Sequence, residues 1–324
     1  MGELLALCYI GGIAEVAVIS GISHVLFPEL AALSYDIFKR PQGKWASAPF
    51  MLVLTPFLAA VVGLWLQHRW GYGPLSLGLG ISAALFFIKV LRSPIAPAIS
   101  AGVLPIALND GSWWYAGAVL FSTSVLALGS VLRQRLQKNT HLPLPPPSRA
   151  DRIDDEVECP ATQYHWLPYF IVFLIIAMGL VLFSGWRFIL YPPLVVIAYE
   201  MFAHADVCPW ARKPVLLVLA CLLTASSGLG IFLLLGHGPL AVILSMGISI
   251  ALIRFFDLHA PPRHRCGAVA LRHRPPRLAL PPGSRLGNGS AVPDLSSVQT
   301  SAQIPCPPAH SGMTGQRKVA GLMT

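Results

Sequence analysis

The sequence predicts an all-α polytopic membrane protein made of two homologous helical repeats, each carrying Pro-broken segments able to re-enter the membrane. Three observations carry that prediction. Hydrophobic residues make up 55% of the 324 and charged residues only 11%, with a mean hydropathy of +0.64, whereas soluble domains carry about 25% charged residues. Apolar runs of about 20 residues recur, each long enough to cross a hydrocarbon core of roughly 30 Å. An ordered set of uncommon residues in the first half returns in the second.

Run length places full spans near 3–25, 48–68, 73–91 and 113–132, and again near 166–186, 214–235 and 238–256. The opening MGELLALCYIGG carries Glu3 and no basic stretch, so it reads as a first membrane helix and not as a cleaved signal. Phe27-Pro28 matches Tyr191-Pro192, Tyr35 matches Tyr199, Asp36 matches Glu200, and Phe38 matches Phe202. After one inserted residue Trp45-Ala46 matches Trp210-Ala211, Pro49 matches Pro214, Gly73-Pro74-Leu75 matches Gly238-Pro239-Leu240, Lys89 matches Arg254, and Pro97 matches Pro262. The chain therefore reads as a first repeat (1–132), a charged Pro-rich linker (133–163), an incomplete second repeat (164–262) and a basic tail (263–324).

Three apolar stretches are short or interrupted: 27–38, 93–108 and 188–202. Pro-broken segments at matching places of two halves point to discontinuous helices lining a site, since irregular backbone at membrane depth survives only inside protein or beside water. A kinked ordinary span is the other reading. Four spans and two broken pieces per repeat give parallel repeats; one more crossing gives inverted ones. Arg133, Arg135 and Lys138 follow a span directly, which puts the linker on the cytoplasmic side of a multi-pass protein of the cell membrane.

The net charge of +9 is local, because residues 263–324 hold eight Lys/Arg and one acid, Asp294. The tail lacks the aromatic residues and modules of a nucleic-acid binder, so no nucleic-acid partner is expected. The expected partners are the lipid bilayer and a small solute, with room for a homo-oligomer. The six Cys form no CxxC pair, and no Cys/His group has zinc spacing; no metal or cofactor is expected. No nucleophile elbow, Walker loop, HExxH helix or paired catalytic carboxylates occur, so the sequence predicts no enzyme.

The order of a Pro-led half-helix ending in Phe, a Trp-Ala-x-x-Pro turn, a Gly-rich span and then Leu258-His259-Ala260-Pro261-Pro262 resembles the HPP transmembrane family, named for a His-Pro-Pro signature. Tyr191-Pro192-Pro193 through Phe202 is similar to its Pro-led segment. In the first repeat the signature is reduced to Ser93-Pro94-Ile95-Ala96-Pro97, without His. The resemblance implies four membrane spans per unit. Because some members are implicated in nitrite transport, it implies a permease for a small solute, with an inorganic anion such as nitrite as the candidate. A non-transporting membrane scaffold or partner subunit is the alternative.

Charges inside spans cost about 2.5–3.5 kcal/mol at a helix centre and ask for a reason. Glu15 lies mid-span, as a proton or cation site or as a partner of His24. Asp36 and Glu200, each after a tyrosine (Tyr35, Tyr199), read as a pair flanking a pathway or as salt bridges closing the basic turns Lys39, Arg40, Lys44 and Arg212, Lys213. Lys89 and Arg254 are cations beside the Pro-rich break at Pro94 and Pro97, or snorkel to headgroups. His259, before Pro261 and Pro262, is the single signature histidine and titrates near neutrality in water. Trp45 and Trp210 read as interfacial belt residues.

The first repeat also predicts what should follow Pro262. There Pro97 leads into AISAGVLPIALNDGSWWY, whereas Pro262 leads into RHRCGAVALRHRPPRLALP. With synonymous codons chosen for residues 263–281, dropping one base gives AIAAALWPFVIDHPDWRY, parallel to the first-repeat segment position for position. Residues 263–324 therefore read as a frameshifted translation, rich in Pro, Gly, Ser and Arg, without periodicity and expected to be disordered.

Overall fold

Proline and glycine punctuate this chain, and the helix ends fall where they stand. The computed structural model describes residues 2–22, 25–139, 148–236 and 238–256, all within one unit running from Met1 to Pro261. In the first half lie α1 (Gly2–Ser20), α2 (Glu29–Lys39), α3 (Lys44–Ser47), α4 (Pro49–Trp70), α5 (Pro74–Val90), α6 (Ala98–Leu108) and α7 (Trp114–Asn139). Then follow α8 (Arg149–Val157), α9 (Leu167–Ser184), a 3₁₀ turn (Arg187–Leu190), α10 (Pro192–Ala203), α11 (Pro214–Leu235) and α12 (Pro239–Phe255). Helices α4, α5, α10, α11 and α12 open on proline, whose fixed φ suits the first helical position and whose missing N–H is not needed there.

Among the described residues five helices (α1, α4, α7, α9 and α11) are long and apolar enough to cross a membrane, and the chain is a multi-pass integral membrane protein. Expected spans 73–91 and 238–256 are shorter than read: α5 and α12 have 17 residues each, about 25 Å. Each starts only after a glycine pair whose first member takes a positive φ, +66° at Gly71 and +67° at Gly236. The three interrupted stretches form α2, α6 and α10, of 11, 11 and 12 residues. At roughly 17 Å they are half-helices, too short for the kinked-span reading.

Element bounds recur along the chain. Helix α11 begins 165 residues after α4 (Pro49 to Pro214), α12 begins 165 after α5 (Pro74 to Pro239), and the paired helices have equal lengths. Their flanking backbone angles recur too: Ala48 and Lys213 sit at φ/ψ −120°/59° and −132°/56°, and Leu91 and Phe256 at −80°/−4° and −79°/−1°.

Packing is reciprocal between halves. Helix α4 is the hub of the first half, contacting α5, α6 and α7. Helix α12 packs on α1, while Leu77, Ile81, Ala84 and Ile88 of α5 share a core with Phe170, Ala177 and Val181 of α9. Half-helix α10 lies on α6. The α4–α6 contact is the closest: a Cβ on Gly63 would overlap the Gly102 backbone, so glycine is required there for proximity and not for its dihedral freedom.

The linker departs from expectation. Residues 133–139 continue α7, and Ser148 opens α8 through a reciprocal capping box with Asp151, in which each side chain accepts from the other residue's N–H. Helix α8 docks on the protein by the contacts described below, so the linker is not simply an exposed tether.

Candidate functional site

Three half-helix N-termini converge. Glu29 is the first residue of α2, Ser100 lies in the first turn of α6, and Tyr191 caps α10. Glu29 is 6% exposed and Ser100 fully buried, and the two side chains are neighbours. The Tyr115 and Tyr191 side chains lie within electrostatic reach of the Glu29 carboxyl. The Ser100 hydroxyl and the Glu29 backbone N–H are the polar groups beside the Glu29 carboxyl, and no basic side chain pairs with it among the described residues. The Tyr115 hydroxyl is engaged, donating to the Ala101 carbonyl at 2.9 Å.

Helices α2 and α10 run the same way. Their N-termini meet around Glu29, and their C-termini both meet the α8 segment: Arg40 bonds Asp155 and Glu158, and the His204 Nε2 lies 2.9 Å from the Cys159 carbonyl. Helices α2 and α10 are therefore parallel to each other. Helix α6 continues to the far side, where Gln67 near the end of α4 donates to Asn109 at 2.8 Å. Ten residues separate Glu29 from Lys39 at the α8 end, about 15 Å, half of a hydrocarbon core. Half-helix N-termini carry a partial positive charge that favours anionic groups; here Leu30, Ala98, Ile99 and Leu194 already donate to preceding carbonyls, and Pro192 and Pro193 have no N–H, so the charge acts mainly as a dipole field. A buried charged carboxylate demands a proton or a cation; at this site the acid and the dipoles together can hold an anion and a proton.

Most residues read as pathway candidates lie elsewhere, at the α8 end. Asp36 is one turn before Arg40 and accepts from its Nε at 2.6 Å. The Tyr35 hydroxyl lies 3.4 Å from a Glu3 carboxylate oxygen, and the exposed Arg254 pairs with the same Glu3. Lys89 is exposed, its ammonium 3.4 Å from the Tyr164 ring centre. Both cations thus reach across to the start of the other half's first helix, and neither faces the half-helix termini. The reason is geometric: α5 and α12 end at the surface, and the break after α5 turns back inward. Tyr199 is buried against Trp166, Phe170 and the Ala161 backbone. Glu200 is 6% exposed, with Asp154 as its charged neighbour. His259, Pro261, Pro262, the tail and His24 lie outside the described residues. Glu15 is exposed on α1.

The Pro-rich break itself is structural. Ser93 accepts from Thr55 at 2.8 Å in a fully buried pair, and Pro97 stands at the α6 N-cap. The Pro94 carbonyl accepts from Trp45 Nε1 at 2.8 Å. Trp45 is 8% exposed, so it is not a belt residue; its indole must be buried to reach that carbonyl, while Trp210 is half-buried. Replacing Trp45 by Phe leaves the Pro94 carbonyl without its donor. We expect a loss of about 1–3 kcal/mol, read as a lower melting temperature in detergent.

At the α8 end one guanidinium organises a cluster of acids. Arg40, 8% exposed, pairs with Asp36, with Asp155 at 3.1 Å and with Glu158, which is 7% exposed, and donates to the Asp151 carbonyl at 3.3 Å. Burial, with Asp36 adding to it and Arg40 opposing, pushes the Glu158 carboxyl well above its usual range. Burial raises Asp154 as well. His204, which follows α10 as Arg40 follows α2, is pushed down by burial. Sequence reading missed Glu29 and the α8 clamp, although Ser148-x-x-Asp151 is a capping signature. Comparison with family models, with curated proteins and with solved structures finds no match to this chain.

Proposed function

We propose that the protein is a permease for a small solute, an inorganic anion such as nitrite, with Glu29 carrying the proton that accompanies it. The observation that supports this reading most is the buried Glu29 carboxyl, without a basic partner among the described residues, at the meeting point of three half-helix N-termini. Discontinuous helices whose N-termini point at a mid-membrane site are the usual substrate-binding device of secondary transporters. An anion there would gain the half-helix dipoles and the Ser100 hydroxyl, and protonation of Glu29 would remove the repelling charge of its carboxylate. Positive-inside asymmetry supports a cytoplasmic α8 side, where Lys39, Arg40, Lys44, Lys89, Arg133, Arg135, Arg212, Lys213 and Arg254 gather. The resemblance to the HPP family makes nitrite the first anion to try.

The test is uptake by liposomes containing the full-length protein, with leakage through protein-free liposomes subtracted. Saturable nitrite uptake that grows with an inward proton gradient is expected. Flux equal to protein-free liposomes, from the chain as given and from a chain with a completed second repeat, overturns the permease reading. One observation favours the scaffold reading instead: α11 presents a long uncovered apolar face, with Leu229, Leu233 and Leu234 at 59%, 74% and 86% exposure.

A further inference from the structure

Helix α8 and the residues just after it are fastened to both α2 and α10, at the ends away from Glu29. Arg40, the residue after α2, pairs with Asp155 and Glu158 and donates to the Asp151 carbonyl. Lys44 of α3 gives its backbone N–H to Asp155 at 3.3 Å. His204, the residue after α10, has its Nε2 2.9 Å from the Cys159 carbonyl. One polar segment, 151–159, therefore bridges the two C-termini. Charge holds it there: no residue of the segment belongs to either apolar core, and the Glu158 side chain is buried.

The charges at this fastening do not balance. Asp36 of α2, Asp151, Asp154, Asp155 and Glu158 of the segment, and Glu200 of α10 lie close enough to act on one another. Arg40 and the exposed Lys39 act on them as cations. Once ionised, the acids outnumber these two cations. Water is withdrawn from Glu158 and Asp154, which makes both carboxyls hold protons more tightly. His204 works with the opposite sign. A carbonyl only accepts, so Nε2 carries the ring proton, and Nδ1 is buried without a partner among the described residues. A second ring proton would go unsatisfied there, and burial pushes the ring down in spite of Glu156 nearby.

We propose that α8 is a proton-operated strap: with Asp154 and Glu158 protonated it ties the C-terminal ends of α2 and α10 together, and their deprotonation releases it. The strap does not depend on the transport reading. Docking is strongest below the ordinary carboxyl range and weakens as pH rises through the raised values of the two acids. His204 sets the acid limit, because its contribution is complete above the ordinary histidine value and is lost as pH falls through its lowered one. The buried Cys208 thiol, which senses Asp154, is pushed up and stays neutral near pH 8. The carboxyls therefore govern the neutral-to-alkaline range.

Hydrogen exchange of the full-length protein in detergent, read by mass spectrometry from about pH 6.5 to about pH 8.5 and corrected for the chemical exchange rate, measures the opening of each helix. Opening of α8 is expected to rise roughly tenfold per pH unit for each proton released. The last turns of α2 and α10, closed by the Arg40 and His204 amides on the Asp36 and Glu200 carbonyls, should open with it, while α4 stays protected. Asp154→Asn combined with Glu158→Gln keeps the neutral form of both side chains and should hold α8 closed across the range. Opening of α8 that does not change with pH overturns the strap, whatever the double variant does. So does a pH slope undiminished in the double variant, or α8 opening that leaves the ends of α2 and α10 unchanged. Loss of α4 protection in step with α8 also overturns it, because the whole fold would then be opening.

Discussion

Replacing Arg40 by methionine is expected to destabilise the protein by about 3–5 kcal/mol, because a buried ion pair that loses one partner leaves the other charge uncompensated. Arg40 is the common partner of Asp36, Asp155 and Glu158, and it joins α2 to the linker helix α8. The cluster holds more acid than base, so its proton content matters. Glu158 and Asp154 have folded-state pKa values raised by burial. A carboxyl raised in this way binds its proton better in the folded state. Its stabilising contribution is complete below the ordinary carboxyl pKa and disappears as pH rises through the folded value. Stability should therefore fall as pH rises above about 5, and Arg40→Met should widen the fall by removing the guanidinium that pairs with Asp36, Asp155 and Glu158. Melting curves at pH 5 and pH 8 check both points. Adding Glu158→Met to Arg40→Met should recover part of the loss, since an apolar replacement of a buried pair is often neutral. A pH-independent deficit, or no recovery, would show that Arg40 acts by packing alone.

Glu29→Gln is expected to abolish proton-driven uptake while leaving the fold intact or slightly more stable. The carboxyl faces the Ser100 hydroxyl and no basic side chain among the described residues, and a glutamine oxygen can accept from the same hydroxyl, so the substitution removes a desolvation cost while keeping that contact. That combination separates function from architecture: a structural residue of the same burial would lower the melting temperature when replaced. Glu15→Gln is the matched control, since Glu15 is exposed on α1 away from the half-helix termini.

Much of the fold was legible because its punctuation is chemical. Prolines at 49, 74, 192, 214 and 239 start helices, and Gly71 and Gly236 take backbone angles that favour glycine. The half-helices were visible as apolar runs too short to span. The site was less legible. Glu29 follows Pro28 at the start of an apolar run and looks like an ordinary N-terminal acid facing the helix dipole. Its burial arises from α6 and α7 closing over it, which no local pattern records. The available signal was asymmetry, since the second half has Pro193 at the corresponding place. Asp36 and Glu200 drew the reading because they match each other; one of them, Asp36, proved to bind Arg40 at the α8 end. Trp45 looked interfacial because its bonding partner, the Pro94 carbonyl, lies 49 residues away.

The most direct test is to follow internal pH in liposomes during nitrite uptake, comparing the native protein with Glu29→Gln. The account predicts that the native protein acidifies the lumen in step with saturable nitrite entry, and that Glu29→Gln matches protein-free liposomes in both signals. Nitrite-coupled acidification that persists undiminished in Glu29→Gln would contradict it.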